Sequence, residues 1–170
     1  MKYLEQYQKI HSTKKYGVSS EQLVEKLYQV INPKSKSLLD YGCGQSKTAI
    51  LLAEKCNMFL YYQYDPAIER LSIQPDFQYD TVICTDVLEH VPEEELNEVL
   101  VNIWSYSKEE IIFIISTREA AEVLPNGENA HCTVQEKGWW DKKLKSIFKL
   151  VEELKEFEIP YSQVGFKCTK

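Results

Sequence analysis

Four groups of residues have the types and spacing that chemistry needs: the turn Gly42-Cys43-Gly44 with Asp40 before it, Asp65, the run Asp86-Val87-Leu88-Glu89-His90, and His131. A Gly-x-Gly turn lets the backbone close on a ligand, and two common nucleotide loops exploit it. Spacing excludes both. A dinucleotide loop needs a third glycine where Lys47 stands, and a phosphate-cradling loop before Lys47-Thr48 needs glycines where Tyr41 and Ser46 stand. What remains is an acid, Asp40, two residues ahead of the turn, and a second acid, Asp65, closing the next apolar segment. An acid at that second place accepts the hydroxyls of a ribose and repels a phosphate. The ligand implied is a nucleoside without a pyrophosphate. His90 and His131 add groups whose unperturbed pKa suits proton removal near neutrality.

The elements that must carry these residues follow from periodicity. Residues 37–41 read as a short strand entering the glycine turn, and the Ala- and Leu-rich stretch 48–56 as the helix leaving it. Residues 58–64 and 79–85 are aromatic and aliphatic throughout, as expected of strands buried on both faces. Only 13 residues, 66–78, separate Asp65 from Tyr79, and Pro66 and Pro75 interrupt them. A full crossover needs roughly 12 residues, so a complete helix and strand are not expected there. Leu96, Val99, Leu100, Ile103 and Trp104 form one helical stripe, followed by a strand over 110–116. Near the start, Tyr3, Leu4, Tyr7, Ile10 and His11 make a short amphipathic helix. Ser19 and Gln22 resemble a capping box for a helix ending before Pro33. Toward the other end, 139–148 reads as a helix, with Trp140 in the core and Trp139 turned away from it, while Lys142, Lys143 and Lys145 form a solvated face. Residues 149–157 and 162–169 read as an antiparallel hairpin. Helices between strands imply an α/β fold with a mostly parallel sheet, whose ligands bind beyond the carboxyl ends of the strands.

Composition bounds the class. With 44% apolar and 27% charged residues and 6 Gly and 6 Pro in 170, the chain can bury a core as a single domain. Its formal charge of −6 offers no general field for a phosphate backbone, which makes nucleic acid an unlikely partner. No apolar run approaches the ~20 residues that span a bilayer, so no membrane association is expected. Five cysteines without a CxxC pair argue against a disulfide framework and a zinc ribbon, and fit a reducing cytoplasm.

In order and spacing, Leu38-Leu39-Asp40-Tyr41-Gly42-Cys43-Gly44, Tyr64-Asp65-Pro66 and Asp80 through Asp86-Val87-Leu88-Glu89-His90-Val91-Pro92 resemble the class I S-adenosylmethionine-dependent methyltransferases. The stretch Leu124-Pro125-Asn126-Gly127 to Asn129-Ala130-His131, with Trp139-Trp140, is similar to a small stand-alone phage or bacterial subgroup. The resemblance implies a Rossmann-like sheet with a C-terminal antiparallel hairpin, its third strand and accompanying helix reduced or absent. It implies S-adenosylmethionine as cofactor, S-adenosylhomocysteine as product and a small-molecule methyl acceptor. Asp40, Gly42, Cys43 and Gly44 are then expected in the cofactor loop, and Asp65 and Pro66 at the ribose. Asp86, Val87 and Leu88 lie beside the methionyl part, and Tyr16-Gly17 closes over it. Plainer roles compete: a turn cap for Asp65, a helical-turn cap for Asp86, and packing for His90. Ser46 replaces the usual third glycine, and the adenine-flanking residues must come from 75–78.

One domain, 1–170, divides into an N-terminal helical lid (1–35), a cofactor-binding core (36–116), a substrate loop and helix (117–148) and the C-terminal hairpin (149–170). The loop 117–137 is where resembling enzymes recognise substrate, which makes His131 the first candidate for a catalytic base and His90 the second. Asp86, Glu89 and His90, at i, i+3 and i+4 of a helical turn, have a geometry that permits a divalent metal shared with His131. The same cluster occurs in resembling proteins that show none, and no metal is assigned. The alternative to an enzyme is a non-catalytic module that binds the cofactor within a larger complex.

Overall fold

In the computed structural model, which describes residues 3–170, the apolar runs pair into one six-stranded sheet. Strands β1 (Ser37–Tyr41), β2 (Leu60–Tyr64), β3 (Tyr79–Thr85) and β4 (Ser107–Ser116) are mutually parallel. β6 (Gln163–Thr169) runs antiparallel between β4 and β5 (Leu150–Glu153), giving the order β2-β1-β3-β4-β6-β5. The chain moves outward from β1 to β2 and then returns to the other side of β1 as β3. Strand order therefore reverses between β1 and β3, and a crevice opens at their carboxyl ends.

The strands read as unbroken apolar runs because helices cover both faces of the sheet. Side chains alternate across it. Leu39, Val82, Cys84, Ile111 and Phe113 face α4 (Leu96–Tyr106) and α5 (Lys137–Lys145), and Leu38, Ile83, Ile112 and Ile114 face α2 (Val24–Val30) and α3 (Thr48–Lys55). Helix α4 buries the stripe Leu96, Val99, Leu100 and Ile103 that its periodicity predicts. Trp140 is fully buried in the same layer, whereas Trp139 is half-buried and packs on that layer rather than turning away from it. Helix α1 (Leu4–Thr13) sets Tyr7 and Ile10 against Leu124 and Ala130 of the long loop after β4, which places it at the carboxyl end of the sheet.

Three further expectations are corrected. The strand predicted over 58–64 is not buried on both faces: β2 begins at Leu60 and is the sheet edge, with Phe59 81% and Tyr61 44% exposed. The cause is the short return after Asp65, which makes a single 3-10 turn, Glu69–Leu71, and supplies no third strand to cover it. The capping box also does not form. Ser19 starts a 3-10 turn, Ser19–Leu23, and its hydroxyl donates to Asp86 instead of to a helix N–H. Finally, the first arm of the hairpin stops at Glu153, because Leu154 and Phe157 fold back over the sheet through a second 3-10 turn.

Trp140 is the largest fully buried side chain, so Trp140→Ala leaves a cavity that its neighbours on the strands cannot close. The expected cost is about 3–5 kcal/mol of unfolding free energy, read from the midpoint of a urea titration at unchanged slope.

Candidate active site

The turn after β1 is built by close backbone approach. Gly42 and Gly44 have φ of +74° and +57°, in the left-handed region that favours glycine. A Cβ on Gly42 would stand 2.5 Å from a Val87 methyl, and one on Gly44 would stand 2.5 Å from the carbonyl oxygen of Gly17. The turn is thus clamped between the exit of β3 and the segment after α1. β2 holds it from below: the N–H groups of Gly42 and Cys43 donate to Tyr64 O (2.7 and 3.1 Å), and that of Gly44 donates to Asp65 Oδ2 (2.8 Å). Gln45 ties the lid-side segment down, its N–H donating to Tyr16 O (3.2 Å) and its Oε1 accepting the Tyr16 N–H (2.9 Å).

Around this turn lies a cleft of about 650 Å³, counted out to its open mouth. Tyr16, Gly42, Gly44, Asp65, Pro66, Asp86, Val87 and His90 line it, bringing together most of the residues singled out in the sequence. Asp40, Cys43 and Leu88 are buried and do not line the cleft, and neither does His131. Asp65 has both predicted roles open to it. Its Oδ1 accepts the Ala67 N–H (2.9 Å) and so caps the turn after Pro66, yet each carboxylate oxygen keeps room for a second donor. Asp86 sits at φ +58°, a strained setting for a non-glycine residue, fixed by its N–H donating to Ile114 O (2.9 Å) and by Ser19.

Cleft-lining residues that periodicity did not flag as functional are Tyr7 and His11, four apart on α1. The signal was present in their shared stripe, which reads equally as plain helix packing. His11 Nδ1 is buried without a partner, and burial lowers the imidazole's pKa. Electrostatics then select the ligand: carboxylates at Asp65 and Asp86 line the cleft, and among the described residues no Lys or Arg does. That wall suits a nucleoside carrying positive charge and opposes a phosphate.

His90 and His131 stack edge to face with ring centroids 4.7 Å apart. His90 Nδ1 lies 2.9 Å from Ala130 O and His131 Nδ1 2.6 Å from Arg118 O. A carbonyl can only accept, so both Nδ1 atoms carry the proton and both Nε2 atoms present a lone pair in the neutral rings. Burial, followed by the neighbouring His131, pushes the His90 pKa down to about 4. The loop is strapped to this turn: Thr133 N–H donates to Glu89 O (3.0 Å), Thr133 Oγ1 to Val91 O (2.7 Å), and Asn129 Oδ1 accepts the His131 N–H (2.9 Å). Packing and site roles therefore coincide at His90, which lines the cleft and anchors the loop through Ala130.

Asp40 lies under the turn, completely enclosed, and burial together with Asp65 pushes its carboxyl pKa up to about 7 while the Ala49 N–H offsets this only in part. Unfolded, the group ionises near 3.9. Between those values the folded state holds a proton that the unfolded state has lost, so stability falls as pH rises through that window. Asp40→Asn removes this dependence. Thermal unfolding without ligand is expected to show the variant gaining on the wild type between about pH 4 and 7, by up to about 1.4 kcal/mol per pH unit.

A search of the curated proteins finds no match. Among solved structures, the chain is similar to the DhpI complex with S-adenosylhomocysteine (TM-score 0.61, 13% identity, covering 97% of this chain and 93% of that one). It is similar also to magnesium protoporphyrin IX methyltransferase from Synechocystis PCC 6803 (0.57, 18%, 98% and 80%). An O-methyltransferase family protein from Burkholderia thailandensis aligns with TM-score 0.66 at 12% identity over 88% of this chain, which spans only 55% of that protein. At such identities these likenesses show the fold, a Rossmann-like methyltransferase sheet. The model of the family described as "Methyltransferase domain" matches residues 14–157, from the lid segment past the last helix, and the chain belongs to that family.

Proposed function

We propose that the protein transfers the methyl group of S-adenosylmethionine to a small-molecule acceptor. The observation that carries this reading is the acid-lined cleft, without Lys or Arg among the described residues, around a glycine turn that lacks the glycines phosphates require. The cofactor fits that donor set, being a nucleoside with a sulfonium and an ammonium against one carboxylate. When bound, S-adenosylmethionine supplies a methyl group already activated by the sulfonium charge. The protein's work is then to bind, orient and exclude water.

Asp65 accepts the ribose hydroxyls, with Pro66 holding the turn behind it. Gly42 and Gly44 give the close backbone wall, with Cys43 buried between them, and Asp40 beneath them adds negative charge when ionised. Asp86, with the backbone of Val87 and Leu88, faces the methionyl end, and Tyr16 closes over it from the lid. His90 and His131 stand on the acceptor side, where a neutral Nε2 meets the hydroxyl, amine or acid whose proton must leave. A non-catalytic binding module gives that pair no task. The 117–136 loop, strapped beside them, is the element that recognises the acceptor.

Isothermal calorimetry is expected to show micromolar binding of S-adenosylmethionine and S-adenosylhomocysteine and none of NAD or ATP. Tighter binding of either phosphate ligand would overturn the reading. Asp65→Ala should weaken cofactor binding by roughly 1–3 kcal/mol, the cost of leaving ribose hydroxyls without a charged acceptor. Release of S-adenosylhomocysteine with a panel of small hydroxyl, amine and carboxylate compounds tests transfer itself, and at least one acceptor should accelerate it. With such an acceptor, His131→Ala should lower turnover ~10²–10⁴-fold and leave cofactor affinity intact.

A further inference from the structure

We infer that Glu89, His90 and His131 form a binding site for one divalent transition-metal ion. A ligand atom of each lies within 4.8 Å of those of the other two. Donors bonded to a common ion at ~2.0–2.2 Å stand roughly 3–3.5 Å apart, so side-chain shifts of about 1 Å close the site.

Three observations separate this cluster from a chance gathering of polar groups. Both imidazoles have Nδ1 committed to a backbone carbonyl, Ala130 O and Arg118 O, which orients each ring and leaves Nε2 as the ligating atom. Metal-binding histidines are fixed by such outer partners. Next, Glu89 is completely buried, and only one of its oxygens is used: Oε1 accepts the Ser116 N–H at 2.8 Å, while Oε2 has no partner. An orphaned carboxylate oxygen in the interior is costly, and a cation beside it removes the cost. Lastly, the two halves of the site are held together without an ion. Thr133 binds the backbone on both sides of His90, and Asn129 binds the His131 N–H.

Donor chemistry sets the class of ion. Two imidazoles and one carboxylate suit zinc, cobalt, manganese or iron rather than magnesium or calcium, which prefer all-oxygen sites. Three protein ligands leave coordination positions open, as in catalytic rather than structural sites. Because His90 is also a wall of the cleft, an acceptor oxygen coordinated there would be activated by the ion whenever it is bound, the free imidazoles serving as bases only in the metal-free protein. That consequence rests on the proposed methyl transfer, whereas binding of the ion does not.

The test uses the full chain, dialysed against a chelator and then into metal-free buffer. It is titrated with Zn2+ alone by calorimetry, and with Co2+ alone by visible absorption. One equivalent is expected, with a micromolar or tighter dissociation constant and, for Co2+, bands of a low-symmetry nitrogen and oxygen site. Glu89→Gln and His131→Gln should each weaken binding at least tenfold, while Cys132→Ser, beside His131, should leave it within threefold. Circular dichroism and S-adenosylhomocysteine affinity report whether each variant is folded. Should Glu89→Gln fail to fold, His131→Gln alone decides. Absence of stoichiometric binding, unchanged affinity in the folded His131 variant, or loss of binding in Cys132→Ser would each overturn the site. Failure of the methyl-transfer reading would appear separately, as wild-type protein that binds the metal and not S-adenosylmethionine.

Discussion

The site depends on how closely the backbone at Gly44 approaches the backbone at Gly17. A methyl group on Gly44 would meet Gly17 O at 2.5 Å, so no other residue can stand there while the lid segment stays seated. On the opposite side Gly42 admits the Val87 side chain in the same way. These contacts join three pieces of chain distant in sequence, the segment after α1, the turn after β1 and the exit of β3, into one wall. Because Gly44 N–H also donates to Asp65 Oδ2, the wall includes the end of β2. Fixed dipoles and a fixed carboxylate in that arrangement need little reorganisation when a ligand arrives, which is what positioning catalysis requires.

That wall concentrates negative charge. Asp65 and Asp86 face the cleft, and Asp40 and Glu89 lie behind it, fully enclosed, with pKa values raised by burial and by the first two acids. Desolvated like charges oppose folding unless protons or cations occupy them. Holding so many acids at one end of the sheet therefore makes sense as stored affinity for positive ligands. Asp40 and Asp65 lie at the glycine turn after β1, and Glu89 lies beside two imidazoles at the exit of β3. The fold gives up stability in the empty state, and ligand binding returns it.

Much of this was legible in the sequence, for reasons that particular residues make plain. Strands β1 and β3 were read to the residue because a sheet covered on both faces leaves continuous apolar runs between a glycine turn or an acid at the carboxyl end. The missing third strand followed from 13 residues broken by two prolines. Without that strand, β2 becomes an edge and cannot be buried on both faces, which residues 58–64 alone do not display, so Phe59 and Tyr61 face solvent. Local propensity also misled at Ser19. A hydroxyl three residues before Gln22 looks like a cap, but the strained turn at Asp86 competes for it across 67 positions of sequence, and no local pattern reports such a contact. His11 was hidden for the converse reason, since a histidine on an apolar stripe has the same spacing whether it packs or faces a ligand.

Tyr7 shows how the parts that sequence separates act as one. Its hydroxyl donates to Ala130 O at 2.7 Å and lies 2.9 Å from His90 Nδ1, so one side chain on α1 touches both the long loop after β4 and the turn after β3. Burial raises the Tyr7 pKa, which keeps the hydroxyl protonated and able to donate. Ala130 O accepts from the Tyr7 hydroxyl and from His90 Nδ1 together, and displacing α1 removes one of those donors. The same helix places His11 on the cleft wall and, through its carbonyl oxygen, accepts the Gln45 side-chain amide at 3.1 Å. Seating of the lid on the glycine turn and orientation of the His90 ring are therefore mechanically linked through a single rigid element. A chain that lacks the third strand and its helix has fewer elements with which to enclose a cofactor. Here α1 lines the cleft with Tyr7 and His11, and the Tyr7 hydroxyl ties it to the loop after β4.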